Sequence, residues 1–342
     1  MFIGLIGPIC SGKSSIANYL VTKKGFSLVG LSCNPGADEL KEGVICEEGG
    51  EKIRRFQSLD SLLNYVTSNW GGNFVVKDKL DYASIVALRK RPFFLLVATS
   101  SPLSMRYSRW LRVSVDTSPP KGLHRFEEFI QADDAQLFAS ANTNSSLSDL
   151  VSYADLTVLN NHPTLEEFWK SLDLINLTNP ERIRPSWDSY FMLLTELACL
   201  RSNCMKRRVG CLVVKDNRVI ATGYNGTPRN VLNCSEGGCP RCNNNSAMGQ
   251  DLDICLCIHA EENALLEAGR ERISGGHAIL YCNTCPCIGC AKKIVQVGVK
   301  EVVYSQAYRM DQQTLQLFKS ANILLRRFIP SSIKLHISAS PS

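Results

Sequence analysis

The chain opens on an uninterrupted run of apolar and small positions, Phe2 to Ile6, and similar short runs recur at Asn73 to Lys77 and Pro92 to Thr99. Runs of this length bounded by Gly, Pro and polar residues read as strands buried on both faces. Between them, Lys13 to Thr22 and Asp81 to Arg89 place apolar positions at helical spacing. Strands alternating with helices predict a parallel sheet covered by helices. Leu123 to Ala141 reads as a further helix running into the polar stretch ANTNSSLSD, a loop or helix exit. Asp155 to Leu159 and Pro163 to Leu172 predict one last strand and helix. In INLTNPERIRPSW the periodicity lapses around two prolines, which puts a boundary near Thr178 to Pro185. The expected domains are 1–177 and 184–335.

Beyond that boundary, Trp187 to Leu200 predicts a helix, and Val209 to Val214 and Val219 to Gly223 form two apolar runs joined by Lys215-Asp216-Asn217-Arg218, a hairpin. An irregular Gly/Cys/Asn-rich insertion follows from Asn225 to Asp253. Loops of that length usually carry a function. Alternation resumes with a helix from Ala260, a strand Ala278 to Cys282, a helix from Cys287, a strand Glu301 to Tyr304, a helix from Asp311 and a strand Ile323 to Phe328. The tail SASPS reads as frayed.

Composition narrows the class. With 342 residues and 44% hydrophobic content, the chain has enough apolar surface for two cores. No apolar run approaches the ~20 residues of a membrane helix. The stretch MFIGLIGPIC has no basic residues ahead of its apolar run, against a signal peptide, so the expected compartment is reducing: cytoplasmic, with the nucleus as an alternative. A net charge of +6 without a long basic run gives little support to nucleic acid as a partner. Of the 15 cysteines, only Cys10, Cys33 and Cys46 precede Cys199. Clustering of this kind in a reducing compartment favours metal over disulfides.

Two motifs carry chemistry. Gly7-Pro8-Ile9-Cys10-Ser11-Gly12-Lys13-Ser14 fits the phosphate-loop pattern between a strand and a helix. Its backbone amides would cradle phosphates, with Lys13 on their terminal oxygens and Ser14 available to Mg²⁺. The domain resembles small nucleoside-monophosphate kinases, a P-loop parallel sheet. Asp78 and Asp116 are candidate acids, and Arg106, Arg109 and Arg125 candidate lid residues. A degenerate domain that scaffolds or senses nucleotide is the alternative.

The second motif is His259-Ala260-Glu261 followed by Pro286-Cys287-Ile288-Gly289-Cys290. These are the H-x-E and P-C-x-x-C elements of the zinc nucleobase deaminase signature. Cysteines three apart at a helix start lie about one turn apart on one face, and the helix N-terminus favours their thiolates. With His259 they make three zinc ligands and leave a fourth position for water, whose pKa zinc lowers to about 7. Glu261 then serves as proton shuttle. The competing reading is a closed structural site with Cys282 or Cys285 as fourth ligand.

The runs SNCMKRRVGCLVV, GYNGTPRN, CLCIHAEENALL, TCPCIGCAKKIVQVGVKEVVYSQAY and ILLRRFIP resemble the deoxycytidylate deaminases, most closely the fungal form with an N-terminal extension, over about Arg184 to Leu335. The resemblance implies a cytidine-deaminase-like α/β/α domain, with a mixed five-stranded sheet flanked by helices. It implies conversion of dCMP to dUMP and ammonia, supplying dTTP synthesis, in a homohexamer activated by dCTP and inhibited by dTTP. Asn225 matches the asparagine that contacts the nucleotide in such enzymes, although Asn-Gly also makes plain turns. Some relatives carry a second, structural zinc at positions matching Cys204, Cys234 and Cys239 with a further Cys before the HAE motif. Here both Cys255 and Cys257 fit that place, with Cys255 taken as the ligand, and Cys242 is extra; thiols packed as small hydrophobes are the alternative. From the residues themselves, Lys206 with Arg207 and Arg208 offers a partner for the 5′-phosphate or a solvated basic surface. The rival functions are deamination of dCTP or CMP, and a nucleotide-sensing regulator built on the phosphate loop.

Overall fold

The computed structural model describes residues 1–31, 43–48, 50–113, 123–138, 146–247, 249–307 and 312–329. Cys33, Asp116, Asp311, most of ANTNSSLSD and the SASPS tail lie outside them. The described chain falls into two compact units that divide between Arg184 and Pro185.

In chain order the first unit contains β1 (Phe2–Ile6), α1 (Lys13–Lys24), β2 (Ser27–Leu31), β3 (Val44–Glu48), β4 (Glu51–Phe56), α2 (Leu59–Ser68), β5 (Phe74–Val76), α3 (Tyr82–Arg89), β6 (Phe94–Ser100), α4 (Leu103–Val113), α5 (Leu123–Phe138), α6 (Leu147–Ser152), β7 (Leu156–Leu159) and α7 (Leu165–Ile175). Its seven-stranded sheet runs β3-β4-β2-β5-β1-β6-β7. Every pairing is parallel except β3 with β4. Alternate residues of β1 split between two cores. Phe2 joins Leu62, Val66 and Leu88 of α2 and α3 on one face, and Ile3 and Leu5 join Ile16, Leu20 and Phe168 of α1 and α7 on the other. Burial on both faces explains the continuous apolar runs. The β3–β4 hairpin escaped the sequence pattern because it forms the sheet edge and is rich in Glu, Lys and Arg, with only Ile53 and Phe56 fully buried.

The second unit contains α8 (Trp187–Cys199), β8 (Gly210–Lys215), β9 (Arg218–Tyr224), α9 (Pro240–Asn243), α10 (Ala260–Ile273), β10 (Ala278–Thr284), α11 (Ile288–Val297), β11 (Glu301–Gln306), α12 (Gln312–Ser320) and β12 (Leu324–Arg327). Its mixed five-stranded sheet has the order β12-β11-β10-β8-β9, with β8 antiparallel to both neighbours. The β8–β9 turn places Asp216 and Asn217 at φ 50° and 59°, the left-handed pair that matches strand twist. One sheet face packs Leu212, Val214, Tyr281 and Val303 against Phe191 and Met192 of α8. The other packs Val213, Leu280 and Cys282 against α10, α11 and α12.

A polar cluster pins α8 to this sheet. Tyr281 Oη donates to Asp188, and the Arg326 guanidinium bridges Asp188 and Glu301. Burial opposes the Asp188 charge, but its bonds to Arg326 and Tyr281 outweigh that and hold its pKa below the ordinary value. A carboxylate with a depressed folded-state pKa adds stability that is fully present above its unfolded pKa, about 3.9, and is lost as pH falls through the folded value. Asp188→Asn is therefore expected to destabilise the protein by about 1–2 kcal/mol at pH 7. Thermal unfolding should show the difference shrinking below about pH 4; a gap that stays constant to pH 3 would contradict the assignment.

Candidate active site and metal centre

Two helices of the second unit begin on ligand-type side chains. His259 is the N-cap of α10 and Cys287 the N-cap of α11, both with extended backbone, and neither side chain caps its own helix. The imidazole and thiol are thus left to point into the space between the two helix starts. His259 Nδ1 lies 3.4 Å from both Cys287 Sγ and Cys290 Sγ. Hydrogen bonds from Cys290 and His259 push the Cys287 thiol down to about 3, and the bond to Cys287 raises His259 to about 9. Among the described residues no fourth His, Cys, Asp or Glu side chain joins this set. Cys282 and Cys285 stay outside it, their thiols pushed up by burial. One nitrogen and two sulfurs converging on one point, with a side left open, fit a catalytic rather than a closed zinc site.

Glu261, the second residue of α10, is 4% exposed. Burial raises its pKa, and Cys211, Cys282 and Cys290 are the buried thiols that sense its charge. A carboxyl in such an apolar, sulfur-lined setting holds its proton more readily than a solvated one. The first turn of α10 is fixed by Asn263 Nδ2, which donates to Tyr224 O at 2.9 Å, and by an ion pair from Glu262 to Lys293 of α11.

Asn225 sits just past β9 and is buried, but most of its amide is used internally. Oδ1 accepts from Ser202 Oγ at 2.7 Å and Val209 N at 2.8 Å, while Nδ2 donates to Arg207 O at 2.8 Å. One Nδ2–H remains for a ligand. The Ser202 hydroxyl, which also bonds the Asn225 carbonyl, is a positioning partner the sequence did not single out, although it opens the run SNCMKRRVGCLVV. Lys206 is exposed, with its ammonium on Asn245 Oδ1, and Arg207 bonds Gln306.

The expected second-zinc quartet of Cys204, Cys234, Cys239 and Cys255 does not form one set. Cys204 and Cys234 group with Cys242 and Cys257, and Cys239 and Cys255 group with the same two residues. Spacing along the chain could not show that Cys242, on the short helix α9, lies between the two pairs.

In the first unit, the loop from Gly7 to Ser14 follows β1 at the centre of the sheet, where neighbouring connections run in opposite directions. Crevices at such switch points are the usual ligand sites of open α/β sheets. Gly7 and Gly12 take φ of 151° and 112°. A Cβ on Gly7 would lie 2.5 Å from Thr99 O, and one on Gly12 2.4 Å from Asn160 Nδ2. Lys13 Nζ donates to Gly7 O and Pro8 O at 2.6 and 3.0 Å, and Ser14 is exposed. Three other candidates in this unit are consumed internally. Asp78 binds Arg55 and Leu31 N, Arg106 pairs with buried Asp133, and Arg109 ties together Cys10 O, Ser101 and Asn160.

Comparison with known proteins agrees with the geometry of the second unit. The cytidine and deoxycytidylate deaminase zinc-binding region matches residues 185–306. The deoxycytidylate deaminase of Schizosaccharomyces pombe is 47% identical over 96% of this chain and 97% of its own length. That of Saccharomyces cerevisiae is 40% identical over 96% of each. A solved dCMP deaminase from cyanophage S-TIM5, in complex with dCMP and dUMP, covers 42% of this chain and 98% of its own at 29% identity, with a TM-score of 0.34. The likeness to the two yeast enzymes extends through the first unit as well as the metal-ligand cluster, and the chain belongs to the deoxycytidylate deaminase family.

Proposed function

We propose that this deoxycytidylate deaminase converts dCMP and water to dUMP and ammonia at the junction of α10 and α11, with His259, Cys287 and Cys290 as the zinc ligands and Glu261 as the proton shuttle. The observation that carries the reading is the three-donor set, open on one side, with a buried carboxyl two residues from its histidine. Zinc held there supplies a Lewis acid that makes water nucleophilic near neutral pH. Glu261 accepts the proton of the attacking water and returns it to the pyrimidine ring nitrogen. It then carries the second proton to the departing amine, so that one carboxyl serves both directions. The free Nδ2–H of Asn225 orients the nucleotide. Following ammonia release from dCMP, dCTP, CMP and cytidine tests the assignment, with dCMP turned over fastest; equal or greater rates on dCTP or CMP would move it to another cytosine nucleotide.

Lys206, beside the loop that Asn225 ties down, is the proposed contact for the 5′-phosphate. A charge-assisted bond of about 1.5–3 kcal/mol corresponds to a rise of roughly 10–100-fold in KM for dCMP in Lys206→Ala, with kcat kept. An unchanged KM would make the residue ordinary surface. Control by dCTP and dTTP in a homo-oligomer belongs to the same reading, checked by adding each effector to the dCMP assay.

The first unit is read as a P-loop nucleotide-binding domain of the nucleoside-monophosphate kinase type. Its support is the glycine-dependent loop at the switch point and a lysine whose ammonium already lies against that loop. Since Asp78 and Arg106 are committed to internal ion pairs, binding rather than phosphoryl transfer is the proposed role. Lys13→Ala is expected to weaken nucleoside triphosphate binding by at least ~10-fold in calorimetry, and equal affinity would remove the loop from the site.

A further inference from the structure

The insertion between β9 and α10 has little apolar material to hold it. Val231, Leu232, Leu252, Ile254 and Leu256 are all exposed. What it buries instead is sulfur. Cys234, Cys239 and Cys242 form a core of their own, and among the described residues the partly buried hydrophobics packed against it are Cys204, Cys255 and Cys257. Small units without an apolar core usually depend on a staple. Disulfides do not supply one, because all six are free thiols, and the Cys204–Cys242 and Cys239–Cys255 sulfurs are 3.9 Å apart, against the ~2.05 Å of a bond.

The sulfurs form two sets of four, Cys204, Cys234, Cys242 and Cys257, and Cys239, Cys242, Cys255 and Cys257, each with all members within 4.8 Å of one another. A tetrahedral zinc at Zn–S of about 2.3 Å needs sulfurs about 3.8 Å apart, and each set contains a pair at 3.9 Å. One ion in either set would abandon two thiols of the other, including Cys239 or Cys234, both 0% exposed. Two ions use all six. Backbone amides support the same division: Met205 N donates to Cys234 Sγ and Leu256 N to Cys239 Sγ, both at 3.4 Å. Those are unshared sulfurs, one in each set, and an unshared thiolate carries more charge for an amide to stabilise than one divided between two ions.

We propose that these six cysteines hold a binuclear zinc cluster, with the sulfurs of Cys242 and Cys257 bridging its two ions. The bridging residue Cys257 stands two positions before His259, and Cys204 directly follows the Ser202-Asn203 pair that holds Asn225 and Thr227. The cluster therefore anchors the chain leading into α10 and the loop that holds Asn225, two of the segments that build the candidate active site.

The test is metal stoichiometry on the full-length protein purified without chelator. Native mass spectrometry should find three zinc ions per chain, one catalytic and two in the cluster; two or fewer overturns the proposal. After substitution with ¹¹³Cd, the two thiolate-bound resonances should be scalar-coupled through the bridging sulfurs, and uncoupled resonances would mean separate sites. Cys255→Ser, at an unshared position, should weaken one cluster ion alone, whereas Cys242→Ser should lose both. An unchanged metal count in Cys255→Ser refutes the second set. If Cys242→Ser does not fold, the wild-type stoichiometry and the cadmium coupling still decide the question.

Discussion

Glu261→Gln is expected to lower kcat for dCMP by at least ~10³-fold while leaving metal content and fold intact. General acid–base catalysis by one group contributes typically 10²–10⁴-fold, and in the proposed mechanism a single carboxyl handles every proton that moves. The glutamine has the same shape but neither accepts nor releases a proton at the working pH. It also replaces a group that burial already disfavours as an anion, so the melting temperature should hold or rise slightly. Zinc should remain, since no Glu261 atom belongs to the ligand set. The decisive comparison is ammonia release against zinc per chain in the same preparation. Activity within tenfold of the parent at full zinc occupancy would rule out Glu261 as the shuttle, whereas loss of zinc with activity would make it a ligand or a structural support.

The sequence exposed the parts of this protein in which one short pattern carries both position and chemistry. His259, Glu261, Cys287 and Cys290 were readable because the spacings that put them on helix starts are the spacings the chemistry needs. The strands β1, β5, β6, β8 and β10 were readable because burial on both faces leaves uninterrupted apolar runs. Elements whose stability comes from tertiary context were not. The β3–β4 edge hairpin alternates charges, and α4 buries only Arg106, through an ion pair to Asp133. The thiol-rich insertion shows a further limit. Its five cysteines and Cys204 were conspicuous, but the grouping of Cys204 with Cys234 and of Cys239 with Cys255 depends on how an irregular loop folds back. Asn225 was visible as a motif residue, while its use as a latch between the β9 exit and the α8–β8 loop was visible only in three dimensions.

Two glycines to which the sequence assigned no role yield the other large expected effect. Gly223 on β9 and Gly210 on β8 take ordinary strand backbone, so neither is required for its φ; each is required for its missing side chain. A Cβ on Gly223 would lie 2.2 Å from Ala260 O and 2.5 Å from Ala264 N, both in the backbone of α10. Backbone cannot rotate away, so the whole helix start must retreat, carrying His259 and Glu261 with it. Gly223→Ala should cost about 3 kcal/mol of stability, roughly 10 °C in Tm for a domain of this size. A displacement near 1 Å at the reacting groups can cost about 10²-fold in rate, and that loss is expected in kcat of the folded fraction. Gly210→Ala makes the matching control. Its Cβ would meet Thr195 O at 2.1 Å and Cys199 N at 2.7 Å, in α8 on the opposite sheet face, away from the metal ligands. It should lose comparable stability while keeping kcat within about tenfold of the parent. If both variants lose activity in proportion to their Tm, the effect is general destabilisation. If Gly223→Ala keeps both Tm and kcat, the close approach of β9 to α10 does not position the site.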